Sequence, residues 1–563
     1  MTAPEEETPP SAHPPGPPER GSRAPLVYLA LAVFFLHALV TGGHLQSPDE
    51  ELLYRMAEGM ALRGTTEVVP LEANLLTDQL PPGLPPEAAF ATRPGREPGQ
   101  FFAQYLPLQA LLAVPFVWLA VLLEGFLAMP FARVLWPTMA LGYLEVLPEE
   151  DFAAAAFRRG VVVTLFGPLV SAVTAVVLAR LGKLLTGQRA PGIWLAVLYC
   201  LGTMAWPQAR TFFTESLAAL WALLALEQLV RWYGKPLGAG IRHALLAGVF
   251  LALGNWTRVD GPLLTAGFML GGGILMAWKA YTEDMWARTG TFVFPWRDAA
   301  LLALLPVLGW VLLQQFNAMR FGEADITAGY AHQPEGVAFD TPLLVGLHGF
   351  LASPGKGMFY FSPVLVLGLW GWLRAPAGWT WLKVLVVAGY LPFFLAMAKW
   401  QNWDGGWCWG PRHIVQVHVP VMLGAVFLFT GPAAGWMVRT LAVALLVLGV
   451  GVQLYGSSQS ALDYYREYFL FHENEEYHQV NLRGMQEDAI RRGFGVFLRE
   501  PDGRLGTEVP PSRLPAPMID SLYLPQHTQW WTYRRMWRLG YSDWYLWNAL
   551  RADEPPVPGG GLP

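Results

Sequence analysis

Long apolar runs recur throughout this chain and limit its possible folds more than any other feature. They lie near 25–41, 105–123, 127–145, 160–179, 191–207, 214–232, 243–257, 262–279, 299–316, 360–373, 380–398, 414–431 and 438–455. Crossing a bilayer as a helix takes ~20 such residues, because backbone groups in lipid must bond within their own segment. The pattern therefore predicts an all-α polytopic membrane protein with about thirteen transmembrane helices, several of them short. The run at 127–145 carries Arg133 and reads equally as a re-entrant or surface helix. Only 14% of the 563 residues are charged and 53% are hydrophobic, too few charges to cover a water-soluble surface. A net charge of -5 argues against a nucleic-acid partner. Two cysteines, Cys200 and Cys408, make neither a disulfide framework nor a metal cluster.

Domain organisation follows from where polarity collects. Residues 1–24 are too polar and proline-rich to fold and read as a disordered cytoplasmic tail. No signal peptide precedes the first run, which reads as a retained anchor. Residues 25–455 form the transmembrane domain, and 456–563 a small C-terminal extracytoplasmic domain rich in aromatics. Basic residues crowd three loops: Arg180, Lys183 and Arg189; Arg231, Lys235 and Arg242; Lys279, Arg288 and Arg297. If those loops are cytoplasmic, the alternate ones face outward. The outward set comprises 42–104, the turns at 210–215 and 258–260, and the loops 317–359 and 399–412.

The first outward loop opens with Ser47-Pro48-Asp49-Glu50-Glu51-Leu52-Leu53-Tyr54-Arg55. Ser47 suits a helix cap, Pro48 its first turn, and Glu50 stands three residues after the cap. Leu52, Leu53, Met56 and Met60 then share one face, and Glu51, Arg55 and Glu58 lie largely on the other, as in a helix lying on a membrane surface. This places the carboxylates of Asp49 and Glu50 at a helix N-terminus at the membrane edge. Capping alone accounts for Glu50; it does not require Asp49.

Four further clusters share that side. Arg210 precedes Glu215 at the start of a span, where Thr214 and Glu215 also suit a plain helix start. Arg258 and Asp260 occupy a turn between two spans, either paired with each other or leaving Arg258 to grip a phosphate in bidentate fashion. Lys356 stands between Gly355 and Gly357, a setting for an anion or simply a turn before a helix. The loop 399–413 holds Trp403, Asp404, Trp407, Trp409 and Arg412; tryptophan faces stack on sugar rings and isoprenoid chains alike. Carboxylates, cations and aromatic walls on one side suggest group transfer from a lipid-linked phosphate donor to an acceptor hydroxyl. No metal-ligand cluster is evident, though such carboxylates can hold a divalent cation loosely.

The acidic pair Asp49-Glu50 with Tyr54, just after the first span, resembles the GT-C superfamily of integral-membrane glycosyltransferases. The resemblance is to the bacterial protein O-mannosyltransferase and aminoarabinose-transferase branch, and extends through Arg210…Glu215 to the segment 247–258. It implies a polyprenyl-phosphate sugar donor and inversion at the anomeric carbon. The acceptor would be a protein, lipid or glycan at the outer face of a bacterial cytoplasmic membrane. It also implies Asp49 as the base or acceptor-positioning acid, Glu50 as its support, Glu215 as a second acid, and Arg258 near the donor phosphate. Substrate contacts would fall to Tyr54, Arg210, Asp260 and the 403–409 tryptophans with Asp404. Relatives often carry a lysine at the end of the first loop; here residues 97–105 read Glu-Pro-Gly-Gln-Phe-Phe-Ala-Gln-Tyr, without one. Phosphate binding then falls to Arg258, Lys356, Arg412 or Arg96. The rival readings are a transporter or lipid flippase, which would need ionisable groups near mid-bilayer, and a non-catalytic envelope scaffold.

Overall fold

The computed structural model describes residues 23–69, 91–133, 149–282, 294–330, 338–405, 408–430, 435–459, 534 and 543–544. Most of the proposed tail, most of the C-terminal domain, and Trp407 lie outside the described residues. The described chain is almost wholly helical, with one short antiparallel pair, β1 (Thr92–Pro94) and β2 (Phe101–Ala103), in the first loop. In order, the helices are α1 (Ala24–Ala38), α2 (Pro48–Arg63), α3 (Leu108–Ala132), α4 (Glu149–Thr186), α5 (Arg189–Gly202) and α6 (Ala205–Ala209). Then come α7 (Glu215–Tyr233), α8 (Ile241–Thr257), α9 (Gly261–Thr282), α10 (Trp296–Phe321), α11 (Leu343–Ala352) and α12 (Met358–Phe361). The last four are α13 (Leu365–Arg374), α14 (Thr380–Lys399), α15 (Val415–Leu423) and α16 (Trp436–Ser457).

Among the described residues, 7 helical stretches are long and apolar enough to cross a membrane, against the thirteen expected. The shortfall has identifiable causes. The run 105–123 continues in α3 to Ala132, and most of the run 127–145 lies outside the described residues, which resume at 149. Helices α1, α5, α11 and α13 are apolar but have only 10–17 residues, and at 1.5 Å per residue fall short of a ~30 Å core. Helix α7 carries Glu215, Glu227 and Arg231. The expected 317–359 loop also contains the whole of α11.

Where helices meet, backbones approach closely, the packing mode available when lipid removes the hydrophobic drive between helices. A Cβ on Gly267 of α9 would stand 2.4 Å from Gly389 O of α14. Outward faces stay apolar: Leu122 and Phe126 of α3 are 74% and 84% exposed, a face suited to lipid.

Polar groups sort to two ends. At one end Glu227, fully buried, faces Arg180 at 3.0 Å and Arg231 at 2.7 Å. Nearby, Lys279 Nζ donates to the carbonyls of Tyr233 and Lys235, and Asp298 accepts from Trp232 Nε1 at 2.7 Å. The three basic loops are thus neighbours. Asp49, Glu215 and Arg258 gather elsewhere, in a separate cluster.

Helix α2 forms over the expected residues, but its polar side is not a free surface. Ser47 Oγ accepts from the Glu50 amide, and Gly64, with φ 69°, closes the C-terminal end in the left-handed region that favours glycine. Glu51, only 1% exposed, accepts from Arg159 of α4 and Arg55, and Glu58 pairs with Arg158 of α4 at 2.7 Å. The expected surface helix is therefore bolted to α4 by ion pairs. Burial alone would raise the Glu51 carboxyl, but Arg159 and Arg55 outweigh it and hold it at about 2.

Candidate active site

Four separated segments deliver charged groups to one place. Asp49 comes from the first turn of α2 and Glu215 from the first residue of α7. Arg258 and Asp260 come from the turn between α8 and α9, and Arg412 from the turn ahead of α15. Helix starts and tight turns place these side chains at segment ends, where the helical backbone does not cover them.

The contacts form a chain of alternating charge. Arg412 Nη2 donates to Asp49 Oδ2 at 3.1 Å, and its Nε lies 3.9 Å from Glu215 Oε1. Glu215 Oε1 is 2.7 Å from Arg258 Nη1, which also donates to Thr214 Oγ1 at 3.1 Å. Arg258 completes a bidentate pair with Asp260, at 2.8 and 2.7 Å. Burial by itself would favour loss of the Arg258 proton; the Asp260 and Glu215 carboxylates more than reverse this, so it stays a cation. The Arg412 guanidinium lies over the Phe213 ring, 4.2 Å from its centre. His413 Nδ1 stands 3.7 Å from Glu215 Oε1. Glu215 is buried, and its Oε2 has no hydrogen-bond partner.

Two tyrosines complete the cluster. Tyr105 Oη donates to Asp49 Oδ1 at 2.6 Å and accepts from Gln104 Nε2 at 3.2 Å. Burial first, and the Asp49 charge second, push the Tyr105 phenol well above its ordinary range, so it stays a donor. Tyr330 is likewise pushed up by burial, and lies within the fields of Arg258, Asp49, Asp260 and Glu215. Nothing in the sequence pattern singled out Tyr330. Tyr105 closes the segment 97–105 that lacks the relatives' lysine, and that departure was the one available signal.

The other expected site residues fall elsewhere. Glu50 is buried: its Oε2 accepts from the amides of Phe212 at 2.8 Å and Gln46 at 3.2 Å, stapling the α2 loop to the segment before α7. Burial raises its carboxyl to about 7 despite those two amides. Tyr54, expected as a substrate contact, is fully buried and donates to Glu58 at 3.1 Å beneath the Arg159 guanidinium. Lys356, expected as a phosphate ligand, donates its ammonium to Cys408 O at 3.1 Å and Gly410 O at 3.3 Å. Trp403, expected as a substrate contact, is 1% exposed and meets Phe350 edge-on beside Gly349. Trp409 is buried edge-on to Phe361, and Asp404 is buried without a partner for Oδ1. Arg210 does not join Glu215; it pairs with Asp543 and donates to Ser457 O. Arg96 is exposed on the first loop.

No protein-family model and no curated protein matches the sequence. Among solved structures, the chain is similar to ArnT from Cupriavidus metallidurans bound to undecaprenyl phosphate, with 13% identity, 84% of this chain and 74% of that one covered, and a TM-score of 0.45. It is also similar to the oligosaccharyltransferase AglB from Archaeoglobus fulgidus in complex with an inhibitory peptide and a dolichol-phosphate, at 10% identity, covering 86% and 61%, with a TM-score of 0.38. The same archaeal enzyme in complex with Zn and sulfate gives 11% identity, 86% and 58% coverage, and a TM-score of 0.42. The chain spans about three fifths of the length of the archaeal enzyme.

Proposed function

We propose that this chain is a GT-C type membrane glycosyltransferase. It moves a sugar from a polyprenyl-phosphate donor to an acceptor hydroxyl at the extracytoplasmic face of a bacterial cytoplasmic membrane. The observation that carries this reading is the position of Arg412, which reaches both Asp49 and Glu215, with Arg258 on the far side of Glu215. Acids for proton removal and cations for a leaving phosphate thus share one cluster.

In this reading Asp49 takes the proton of the acceptor hydroxyl as the oxygen attacks the anomeric carbon. The bond from that carbon to the phosphate oxygen breaks on the opposite face, so configuration inverts, and the electron pair leaves with the phosphate. Arg412 and Arg258 neutralise the departing charge, since a guanidinium matches phosphate oxygens in bidentate fashion. Tyr105 holds Asp49 in place through its 2.6 Å hydrogen bond, and Glu215 keeps the two arginines spaced. Every acid in the cluster faces a guanidinium, a charge arrangement better matched to an anion than to a divalent cation. The acceptor class, whether protein, lipid or glycan, is left to assay. The test is sugar transfer from labelled undecaprenyl-phosphate sugar in membranes containing the chain or its Asp49→Asn variant; equal transfer by both would overturn the assignment.

A further inference from the structure

The C-terminal part of the chain sends one carboxylate deep into the outward end of the bundle. Asp543 is 3% exposed, and its Oδ1 accepts from His44 Nε2 at 2.7 Å. Its Oδ2 accepts from Gln46 Nε2 at 3.1 Å and pairs with Arg210, while its amide donates to Ser458 O at 2.9 Å. Asp543 thus contacts three elements: its side chain meets the loop after α1 and the end of α6, and its amide meets the end of α16.

The partners stand close to the candidate acids in sequence. Gln46 immediately precedes Ser47, the cap of the helix carrying Asp49, and Arg210 stands five residues before Glu215. These two loops are also stapled once by Glu50, through the Gln46 and Phe212 amides. Where they meet lies a small pocket lined by Gln46, Gln208, Arg210, Thr211 and Phe213 among others, and the Phe213 ring carries the Arg412 guanidinium. The separation of the loops therefore sets the spacing of the site.

We propose that Asp543 is a positioning residue that clamps the loop carrying Asp49 to the loop carrying Glu215. The inference rests on the reading that these two acids serve glycosyl transfer. Arg210 is itself 2% exposed, and a buried cation that loses its carboxylate must move toward water or draw in another partner. Either response shifts the loop before Glu215.

The test uses the full chain in lipid nanodiscs and three variants. Asp543→Asn keeps the size of the side chain and removes its charge. Gly42→Ala keeps every charge, but its Cβ would stand 2.9 Å from Asp543 Oδ2 and displace it. Asp543→Glu is the conservative rescue. Amide hydrogen exchange over 42–54 and 205–216 should quicken about tenfold in the first two variants and recover in the third, with 365–374 unchanged. With undecaprenyl-phosphate sugar as the probe, kcat should fall about 100-fold while KM for the donor holds, as expected for misplaced rather than missing groups. Wild-type exchange in both loops of Asp543→Asn and Gly42→Ala overturns the clamp, as does loosening of one loop only. Quickened exchange at 365–374 as well overturns it in favour of a general anchor. A wild-type chain without transferase activity defeats the glycosyl-transfer reading, while the exchange measurement still decides the clamp.

Discussion

Arg412 donates to Asp49 at 3.1 Å across 363 positions of sequence, and this contact joins the turn ahead of α15 to the first turn of α2. An arginine so placed engages the Asp49 carboxylate until another anion competes for it. A donor phosphate arriving at Arg412 would release Asp49 for the acceptor proton at the moment it is needed.

Asp49→Asn should lower sugar transfer by about 100-fold or more, the usual scale for a lost general base. Its side chain is 23% exposed, so the variant should accumulate in membranes like the parent. Transfer and membrane content are measured on the same preparation; full activity sinks the assignment.

Arg412→Lys keeps the charge and loses the planar fork that touches two acids and covers Phe213. Donor KM should rise about tenfold, the effect of losing a bond worth ~1.4 kcal/mol, with a smaller change in acceptor KM. Steady-state kinetics with each substrate varied in turn separate the two effects.

Arg258→Ala leaves Glu215 and Asp260, both largely buried, facing each other without their cation. Removing one partner from a buried pair costs about 3–5 kcal/mol, so the melting temperature in detergent should fall along with activity. Replacing Arg258 and Asp260 together should recover part of that loss, because the double variant leaves fewer charges stranded.

Glu50 gives a pH signature. Its folded carboxyl sits at about 7 against an ordinary 4.5, so the folded chain binds more protons between those values. Its contribution is complete below about 4.5 and is lost as pH rises through about 7, a change of at most about 3 kcal/mol. Glu51, held at about 2, acts in the opposite sense and only at lower pH. Glu50→Gln should therefore flatten the fall in melting temperature between pH 4.5 and 7 and leave the acid limb intact. An unchanged slope in that variant would exclude Glu50 as its source.

Gly167→Ala places a Cβ 2.0 Å from the carbonyl of Ala209, backbone against backbone, where neither side can swing away. Helix α6 would have to move off α4, carrying the segment toward Glu215 with it. Both melting temperature and transfer should drop; Gly125→Ala, which meets nothing within 4 Å, is the control.

Much of this was legible in the order of residues. The apolar runs located most helices, and the asymmetry of Lys and Arg separated the Glu227 end from the Asp49 end. The start of α2 could be read from Ser47, Pro48 and Glu50, because a cap is a local device. Asp49, Glu215, Arg258, Asp260 and Arg412 each stand at a helix start or turn, which is why the sequence could offer them as one candidate cluster. What misled was the meaning of a charged or aromatic residue in a loop. Lys356 and Arg412 look alike in sequence, yet one braces carbonyls and the other bridges acids. Trp403 and Tyr54 turned inward because Gly349 and Arg159, far away in the chain, make room for them. Asp543 was invisible, since two of its partners, His44 and Gln46, are almost 500 positions away.

The ion pairs between α2 and α4 bear on how a lipid-borne sugar gets in. Lifting α2 would strand Glu51 and Glu58 from Arg159 and Arg158 in one stroke, a toll several times thermal energy. The wall beneath Asp49 is accordingly a fixed floor during turnover. On the proposed function, entry of the donor would fall to the segments facing it, where Tyr105 and Arg412 each hold Asp49 by one side chain.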